Sequence, residues 1–448
     1  MAKTDAKRAL SLSVLTAYGG LAFPLSVIGL PLSIYLAPFY AGELHLPLAL
    51  LGTAMLIGRF SDVVTDPLIG MVSDRWRPQI GRRRIWVLIG VPLLAAAVWM
   101  LFNPPPGSGL GYFLLWVSLT YLAFTMTQLP YQAWGGELST SYEERSRITS
   151  ARQMFGIAGL IASTMVPAWV QSQPGSTSAD VLHALGVLML FALPLFGTLL
   201  FLIVPEPRQT SEAADFDIRT SLKQMWRNGP FKRLSIVMLI GYTAETFRIT
   251  ITLFFARDVI GLTNVGLIYV YYFVCGFMAV PFWVWLGNRI GKHRALAVAF
   301  VFVAATSIAI FFLHHGQQTL FTILFVAKGF SFGALELLPS SMYADTADVD
   351  TVMSRERRQG LLFSVAAMIA KLGQALGQGL SLNLLALAGF QAAGGNGPDQ
   401  IFWLRVLYCA FPAIVLVTSI GLLWGYPLTA VRHRRFQAFI DRRVKSSA

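Results

Sequence analysis

The strongest constraint on the fold is a series of apolar runs, each of about 20 residues, that recurs along the whole chain. A helix of that length crosses the hydrocarbon layer of a bilayer and satisfies its backbone groups internally. The pattern therefore predicts an all-α protein that crosses a membrane about twelve times. We place the twelve spans near residues 13–40, 48–73, 85–103, 111–136, 148–171, 181–204, 231–257, 263–287, 295–314, 318–341, 361–388 and 402–426.

The composition excludes an ordinary soluble domain. Of the 448 residues, 55% are hydrophobic and 13% are charged, whereas soluble chains carry about a quarter charged residues. A soluble domain of this length cannot bury so much apolar surface. Cys275 and Cys409 both lie in apolar runs, so they indicate no disulfide framework and no metal site.

The net charge of +13 is placed in a way that indicates membrane topology rather than nucleic-acid binding. The basic residues lie at both ends of the chain and in the even-numbered loops. The loops at 104–109, 173–178 and 391–400 contain no Lys or Arg. Because basic loops stay inside, we predict that both termini and the even-numbered loops are cytoplasmic.

The chain divides into two similar halves. The polar stretch Pro205–Pro230 separates six predicted spans from six others. We therefore predict an N-terminal six-helix bundle at 1–204, a cytoplasmic central loop at 205–230 and a C-terminal six-helix bundle with a cytoplasmic tail at 231–448. The basic segment 81–84 after the second span is echoed by 291–294 after the eighth, and such repeats are typical of transporters with a midplane site.

Two acids inside the second span predict a cation site. Asp62 and Asp66 are one helical turn apart, so their carboxylates share a face. Intramembrane charges are costly, and two adjacent carboxylates favour a shared cation or proton. Thr65 and Thr125 are candidate neutral donors, and the acids become metal ligands if the cation is Na⁺. The alternative is a structural ion pair with Arg59.

Two basic residues also lie inside predicted spans. Arg152 falls in span five and Lys371 in span eleven, where each needs an anion, a cavity or a route to the interface. One interpretation is a structural pair with Asp62 or Asp66. The other places Arg152 on a solute and makes Lys371 responsive to the cation site.

Further charged residues receive structural interpretations. Glu245 and Arg248 are three residues apart and are expected to pair on their helix. We expect Lys328 and Glu336 in span ten to form a helix-surface or inter-helix pair.

A second group of charges lies at the cytoplasmic ends of the spans. We expect these residues to latch the two halves through salt bridges. With Arg59 as a further salt-bridge candidate, the gating group is Arg59, Asp74, Glu137 and Arg145.

The sequence contains no nucleophile–base pair, no metal-ligand cluster and no phosphate-cradling loop. These absences argue against an enzyme or an ATP-driven pump, and we expect no cofactor other than a coupling ion.

Two motif blocks in matching topological places carry a family resemblance. Residues 58–84 contain Gly58-Arg-Phe-Ser-Asp62-Val-Val-Thr-Asp66-Pro67 and the basic loop that ends at Arg84. Residues 343–377 contain Tyr343-Ala-Asp-Thr-Ala-Asp348 and Lys371-Leu-Gly-Gln-Ala-Leu-Gly377. Both blocks resemble the glycoside–pentoside–hexuronide:cation symporters of the major facilitator superfamily.

The resemblance implies a major facilitator fold of two six-helix pseudo-repeat bundles in a bacterial inner membrane. In the family, the acids that match Asp62 and Asp66 bind the coupling cation, with a ligand at the position of Thr125. Thr65 replaces an Asn of the family, so the coupling cation can be either Na⁺ or H⁺.

The predicted solute pocket departs from the galactoside-transporting members of the family. Ser26 and Gln128 replace two acids, and Gln132 replaces a stacking tryptophan. Carboxylates bind sugar hydroxyls more strongly than amides do, so galactoside specificity is not implied. The candidate solute-binding residues are Ser26, Gln128, Tyr131, Gln132, Arg152 and Lys371.

These observations predict a secondary active symporter that acts by alternating access. The expected partners are a small polar solute, a coupling cation and the lipid bilayer, with no nucleic acid and a monomeric state. A glycoside or a sugar acid is the preferred solute, because Arg152 and Lys371 suit a uronate or glucuronide. The alternative is a lysophospholipid-like amphiphile, since the chain also resembles sodium-dependent lysophospholipid transporters.

Overall fold

The computed structural model describes residues 10–76, 78–139, 141–206, 225–354 and 359–428. Within these ranges the chain is helical and forms no β-strand. The predicted central loop falls mostly at 207–224, outside the described residues, as do the basic N-terminal residues and the tail.

The first half of the described chain consists of helices joined by short turns. They are α1 (Leu12–Gly20), α2 (Ala22–Ile34), α3 (Leu36–Gly42), α4 (Leu48–Phe60), α5 (Asp62–Arg75), α6 (Arg84–Phe102), α7 (Leu110–Glu137), α8 (Tyr142–Gln171) and α9 (Ser178–Ile203).

The second half adds two π-helical segments to its α-helices. The elements are α10 (Gly229–Phe254), π1 (Phe255–Ile260), α11 (Val265–Met278), α12 (Val280–Ile290), α13 (Lys292–Phe311), α14 (Gln318–Gly329), α15 (Phe332–Ser354), α16 (Gln359–Leu387), α17 (Pro398–Arg405), π2 (Val406–Ala410) and α18 (Phe411–Trp424).

These elements confirm the predicted multi-span, all-α architecture. Eleven helical stretches of the described chain are long and apolar enough to cross a membrane, and α11 with α12, bent by 43°, makes a twelfth. The spans reach beyond the apolar runs where polar ends continue the helix: α8 begins at Tyr142 rather than near 148, and α15 continues to Ser354 rather than 341.

The described residues form two compact units. The described parts of Met1–Leu46 and Ile57–Ser211 form one unit, and the described parts of Pro47–Leu56 and Glu212–Ala448 form the other. The predicted limits of the two bundles remain predictions.

A tight contact between α1 and α7 organises the first unit. The Tyr18 and Tyr131 rings stack with centroids 4.7 Å apart. The Tyr131 hydroxyl donates to the Tyr18 carbonyl at 2.8 Å, and the Tyr18 hydroxyl donates to the Tyr131 carbonyl at 3.3 Å. Only glycine fits next to this pair, because a Cβ at Gly135 would lie 1.9 Å from the Tyr18 hydroxyl.

We expect Gly135→Ala to destabilise the first unit by about 1–3 kcal/mol, the usual cost of overpacking. The measurement is the unfolding midpoint of the purified protein in detergent. Gly136→Ala is the matched control, because a Cβ there meets nothing within 4 Å. Equal midpoints for the two variants would show that the α1–α7 contact adapts without cost.

The two units share one structural motif at the turn after their second span. Gly81 has φ +122° and Gly291 has φ +96°, a region that side chains other than glycine rarely adopt. In each unit a basic side chain one or two positions after that glycine forms a salt bridge with an acidic side chain of the unit's fourth span. Lys292 Nζ binds Asp345 at 2.6 Å, and the first unit uses Arg83 in the same role.

Candidate functional site

The acids of the second span lie at a helix junction. α4 ends at Phe60, α5 begins at Asp62, and the Ser61 hydroxyl between them donates to the Gly58 carbonyl at 2.6 Å. Asp62 is only 2% exposed. Asp66 follows on the next turn of α5, as the spacing predicted.

The fourth span supplies a polar contact to this acid pair. The Thr125 hydroxyl on α7 is buried and donates to Asp66 Oδ1 at 3.0 Å. The structure thus brings Thr125 and Asp66 together, two residues 59 positions apart in the sequence.

Further oxygen atoms lie on the same turn of α5. Thr65 Oγ1 is buried and has no hydrogen-bond partner among the described residues. Pro67 lies inside α5 and has no N–H, so it cannot donate to the Val63 carbonyl four residues earlier. Carboxylates, hydroxyls and freed helix carbonyls are the groups that hold coupling cations in transporters.

Arg59 places positive charge beside the acids. Its guanidinium lies over the Tyr121 ring, 4.7 Å from the centroid. Gly58 permits this approach, because a Cβ there would lie 3.0 Å from that ring. The Tyr121 hydroxyl interacts electrostatically with both Arg59 and Asp62, so the two charged side chains lie close to the same ring.

The predicted solute residues of α7 form a stripe. Gln128 and Gln132 lie three and seven residues after Thr125, so all three share one face of the helix. Gln128 is half-buried and Gln132 is exposed. Polar amides therefore continue from the Asp66 contact along the first unit.

Three other predicted solute residues of the first unit have different surroundings. Tyr131 is buried and its hydroxyl is committed to Tyr18, so it braces α1 against α7 in this structure. Arg152 on α8 is half-buried beside both tyrosine hydroxyls. Ser26 is half-buried against α8, where a Cβ at Gly156 would lie 3.3 Å from its Oγ.

Lys371 belongs to the second unit. It is half-buried on α16, and Gln374 and Gln378 follow it three and seven residues later on the same helix face.

Arg83 organises one end of the first unit, where the Gly81 turn meets the last turn of α7. Its Nη2 donates to Asp74 Oδ1 at 2.7 Å and to Glu137 Oε1 at 2.5 Å, and its backbone N–H donates to Glu206 Oε1 at 2.8 Å. Burial by itself lowers the pKa of Arg83, but the bonds to Glu137 and Asp74 raise it above its ordinary value. Arg83 therefore stays charged although it is only 3% exposed.

These contacts correct one expectation. Asp74 and Glu137 were expected to latch the two halves, but their partners Arg82 and Arg83 lie in their own unit. After the turn at Gly81, both arginines lie next to Glu137, the last residue of α7. Arg145 also makes its contact within its own unit, because its Nε donates to the Ser139 carbonyl at 2.8 Å.

The second unit confirms one predicted pair and contradicts another. Glu245 and Arg248 form the expected salt bridge. The expected pair of Lys328 with Glu336 is wrong: Lys328, at the end of α14, faces the Tyr408 ring, with its Nζ 6.0 Å from the ring centroid, and Glu336 lies on the next helix, α15. Lys328 Nζ is buried without a hydrogen-bond partner in the part of the chain that the structure describes, whereas Glu336 is exposed.

The sequence interpretation missed several polar contacts. Tyr121 lies one turn before Thr125 on α7, and that spacing was a usable signal. Glu206 lies at the edge of the polar central stretch, where no helical spacing assigns it a partner. The Tyr18–Tyr131 pair has no local signal, because it joins residues 113 positions apart.

The helical spans and the polar contacts buried among them define a transporter of the major facilitator type. The fold matches that of a solved D-xylose–proton symporter with a TM-score of 0.65 and 13% identity, covering 93% of this chain and 97% of that one. The family described as MFS/sugar transport protein matches residues 17–430, and the chain belongs to that family, within its glycoside–pentoside–hexuronide:cation symporter branch.

Individual relatives extend over nearly the whole chain. The putative glycoside/cation symporter YagG of Escherichia coli is 26% identical over 89% of this chain and 88% of its own. The glucuronide carrier protein homolog of Escherichia coli is 23% identical over 92% of both chains. Sodium-dependent lysophosphatidylcholine symporter 1 of Mus musculus is 25% identical over 94% of this chain and 86% of its own.

Proposed function

We propose that this chain is a secondary active symporter that couples the movement of a small polar solute to a Na⁺ or H⁺ gradient by alternating access. The solute is a glycoside or a sugar acid. The chain works as a multi-pass monomer in a bacterial inner membrane.

One observation carries the proposal: Thr125 donates to Asp66 beside the buried Asp62, within an apolar span. Carboxylates inside a membrane are costly and mark ion pathways. Asp62, Asp66, Thr65 and Thr125 are the proposed cation ligands. Na⁺ would be held by their oxygens, and H⁺ would be shared between the carboxylates.

The polar stripe of α7 supports a sugar-like solute. Gln128 and Gln132 offer donors and acceptors for hydroxyl groups, and Arg152 offers a charged donor for a carboxylate. The glycoside and glucuronide carriers among the relatives favour the same class. The alternative solute is a lysophospholipid-like amphiphile, because the mouse relative of that name is about as similar to this chain.

Exchange across proteoliposomes tests the solute class without any gradient. Vesicles are preloaded with an unlabelled glucuronide, a methyl glycoside or lysophosphatidylcholine, and entry of the same labelled compound is followed. We expect exchange of the glucuronide or the glycoside and none of the lipid. Exchange of lysophosphatidylcholine alone would support the alternative, and exchange of none would contradict the proposal.

We also propose that both termini face the cytoplasm, on the strength of the basic-loop asymmetry. Reporter fusions ending at Gly107 or Gly395 should report the periplasm, and fusions ending at Gly81 or Gly291 the cytoplasm. The reversed pattern would overturn this orientation.

A further inference from the structure

The second unit contains a buried cluster of charges that the proposed cation site does not use. Arg248 on α10 and Lys328 on α14 are each 1% exposed. Arg248 Nε donates to Glu245 Oε2 at 3.3 Å, its Nη2 binds Glu245 Oε1, and the Tyr272 hydroxyl donates to Glu245 Oε1 at 3.2 Å. Both carboxylate oxygens of Glu245 thus accept hydrogen bonds from its own neighbours.

The cluster holds two cations and one carboxylate. Arg248 Nη1 and Lys328 Nζ are both buried, and within the described chain neither has a hydrogen-bond partner. The charges of Arg248 and Glu245 act on the Lys328 amine, which places the three groups together. One positive charge is therefore left uncompensated when all three groups are ionised.

Aromatic rings surround the two free donors. The Arg248 guanidinium lies 5.5 Å from the centroid of Phe325, which is one turn before Lys328 on α14. Lys328 Nζ lies 6.0 Å from the centroid of the Tyr408 ring. The rings exclude water and strengthen any charge–charge interaction in this space.

The cluster also adjoins both π-helical segments of the described chain. α10, which carries Glu245 and Arg248, continues into π1, and Tyr408 lies in π2. The Phe255 ring of π1 stacks on Tyr408 with centroids 4.0 Å apart. π-helical turns are rare and frequently occur at functional sites.

A neutral Lys328 amine does not account for the arrangement. Loss of its proton would remove the excess charge, but the guanidinium of Arg248 cannot be deprotonated in a protein. Its Nη1 would still be a buried donor without an acceptor, which is costly. A single anion bound by both side chains would give both donors an acceptor and would offset the excess charge.

We propose that Lys328 and Arg248 form a binding site for one carboxylate-type anion within the second unit. The source is a free small carboxylate, or the carboxylate of a second sugar-acid molecule besides the one that Arg152 is proposed to hold, in which case the inference rests on the proposed function.

The test is calorimetry on the purified full chain with sodium glucuronate, sodium acetate and glucose as probes, at constant Na⁺ supplied with a bulky sulfonate buffer. Lys328→Met should weaken glucuronate binding by roughly ten- to a hundredfold, the usual weight of a charge-assisted hydrogen bond. The matched control is Lys232→Met, an exposed lysine on α10, which should bind like the wild type. Glucose should show no dependence on Lys328.

The second variant, Glu245→Gln, has the opposite expected sign. It removes the carboxylate that competes for Arg248, so the anion should bind more tightly. This second variant tests the site even if Lys328→Met does not fold. Lys328-dependent acetate binding would identify a free carboxylate as a ligand, and a response to glucuronate alone would identify a sugar acid as the ligand.

Equal anion affinities in the wild type and Lys328→Met, no binding of either anion by the wild type, or unchanged or weaker binding by Glu245→Gln would overturn the site. Failure of cation-driven uptake together with Lys328-dependent acetate binding would overturn the symport proposal and leave the site intact.

Discussion

Asp66→Asn should eliminate cation-stimulated uptake and leave exchange of bound solute at least partly intact. Asparagine keeps the volume of the side chain and the oxygen that accepts from Thr125, so the contact between α5 and α7 survives. The negative charge is lost, together with the second acceptor oxygen, which becomes an NH2 donor. A cation promotes solute binding only when both sites bias the same conformational equilibrium, and the variant removes that linkage.

The measurements are gradient-driven uptake, exchange and thermal unfolding in one preparation. Asp399→Asn, the same change at an exposed position, is the matched control and should behave like the wild type. If the acids only neutralise Arg59, the variant would instead lose stability, because it leaves a charge unpaired in the membrane. Such a loss, or a stable variant with normal cation stimulation, would remove Asp66 from the coupling mechanism.

Arg152→Ala should weaken solute binding on the order of ten- to a hundredfold or more and leave cation binding unchanged. The half-buried guanidinium lies beside the Tyr18 and Tyr131 hydroxyls. Each hydroxyl donates to the backbone carbonyl of the other tyrosine, so Arg152 is the charged donor of that region. A charge-assisted hydrogen bond to a carboxylate accounts for a loss of this size.

Calorimetry with a glucuronide and with the cation separates the two effects. Arg147→Ala is the control on the same helix, because Arg147 is largely exposed and pairs with Glu144. Retained solute affinity in Arg152→Ala would assign Arg152 a structural role beside the tyrosine pair.

The sequence was sufficient for the spans, because an apolar run of this length has few alternatives to a membrane helix. The shared face of Asp62 and Asp66 also follows from helical spacing alone. Thr125 was a candidate neutral donor of the same site by its residue type and by the family resemblance, and the structure brings it into contact with Asp66.

The incorrect salt-bridge predictions have a common physical cause. Which charged side chains meet depends on where each helix ends and how the chain turns after it. Lys328 and Glu336 lie on one span, as expected, but the helix breaks between them and Lys328 is directed to Tyr408 rather than to Glu336. Likewise, the positive φ of Gly81 aims Arg83 at acids of its own unit. Composition and periodicity carry no information on such directions.

The most direct test of coupled symport is accumulation of the exchanging solute in proteoliposomes under an imposed inward Na⁺ or H⁺ gradient, with an ionophore to collapse it. The proposed function predicts that wild-type protein raises the internal solute above its external concentration under one of the two gradients, and that the ionophore abolishes this. Entry that stops at equal concentrations, with or without either gradient, would contradict it.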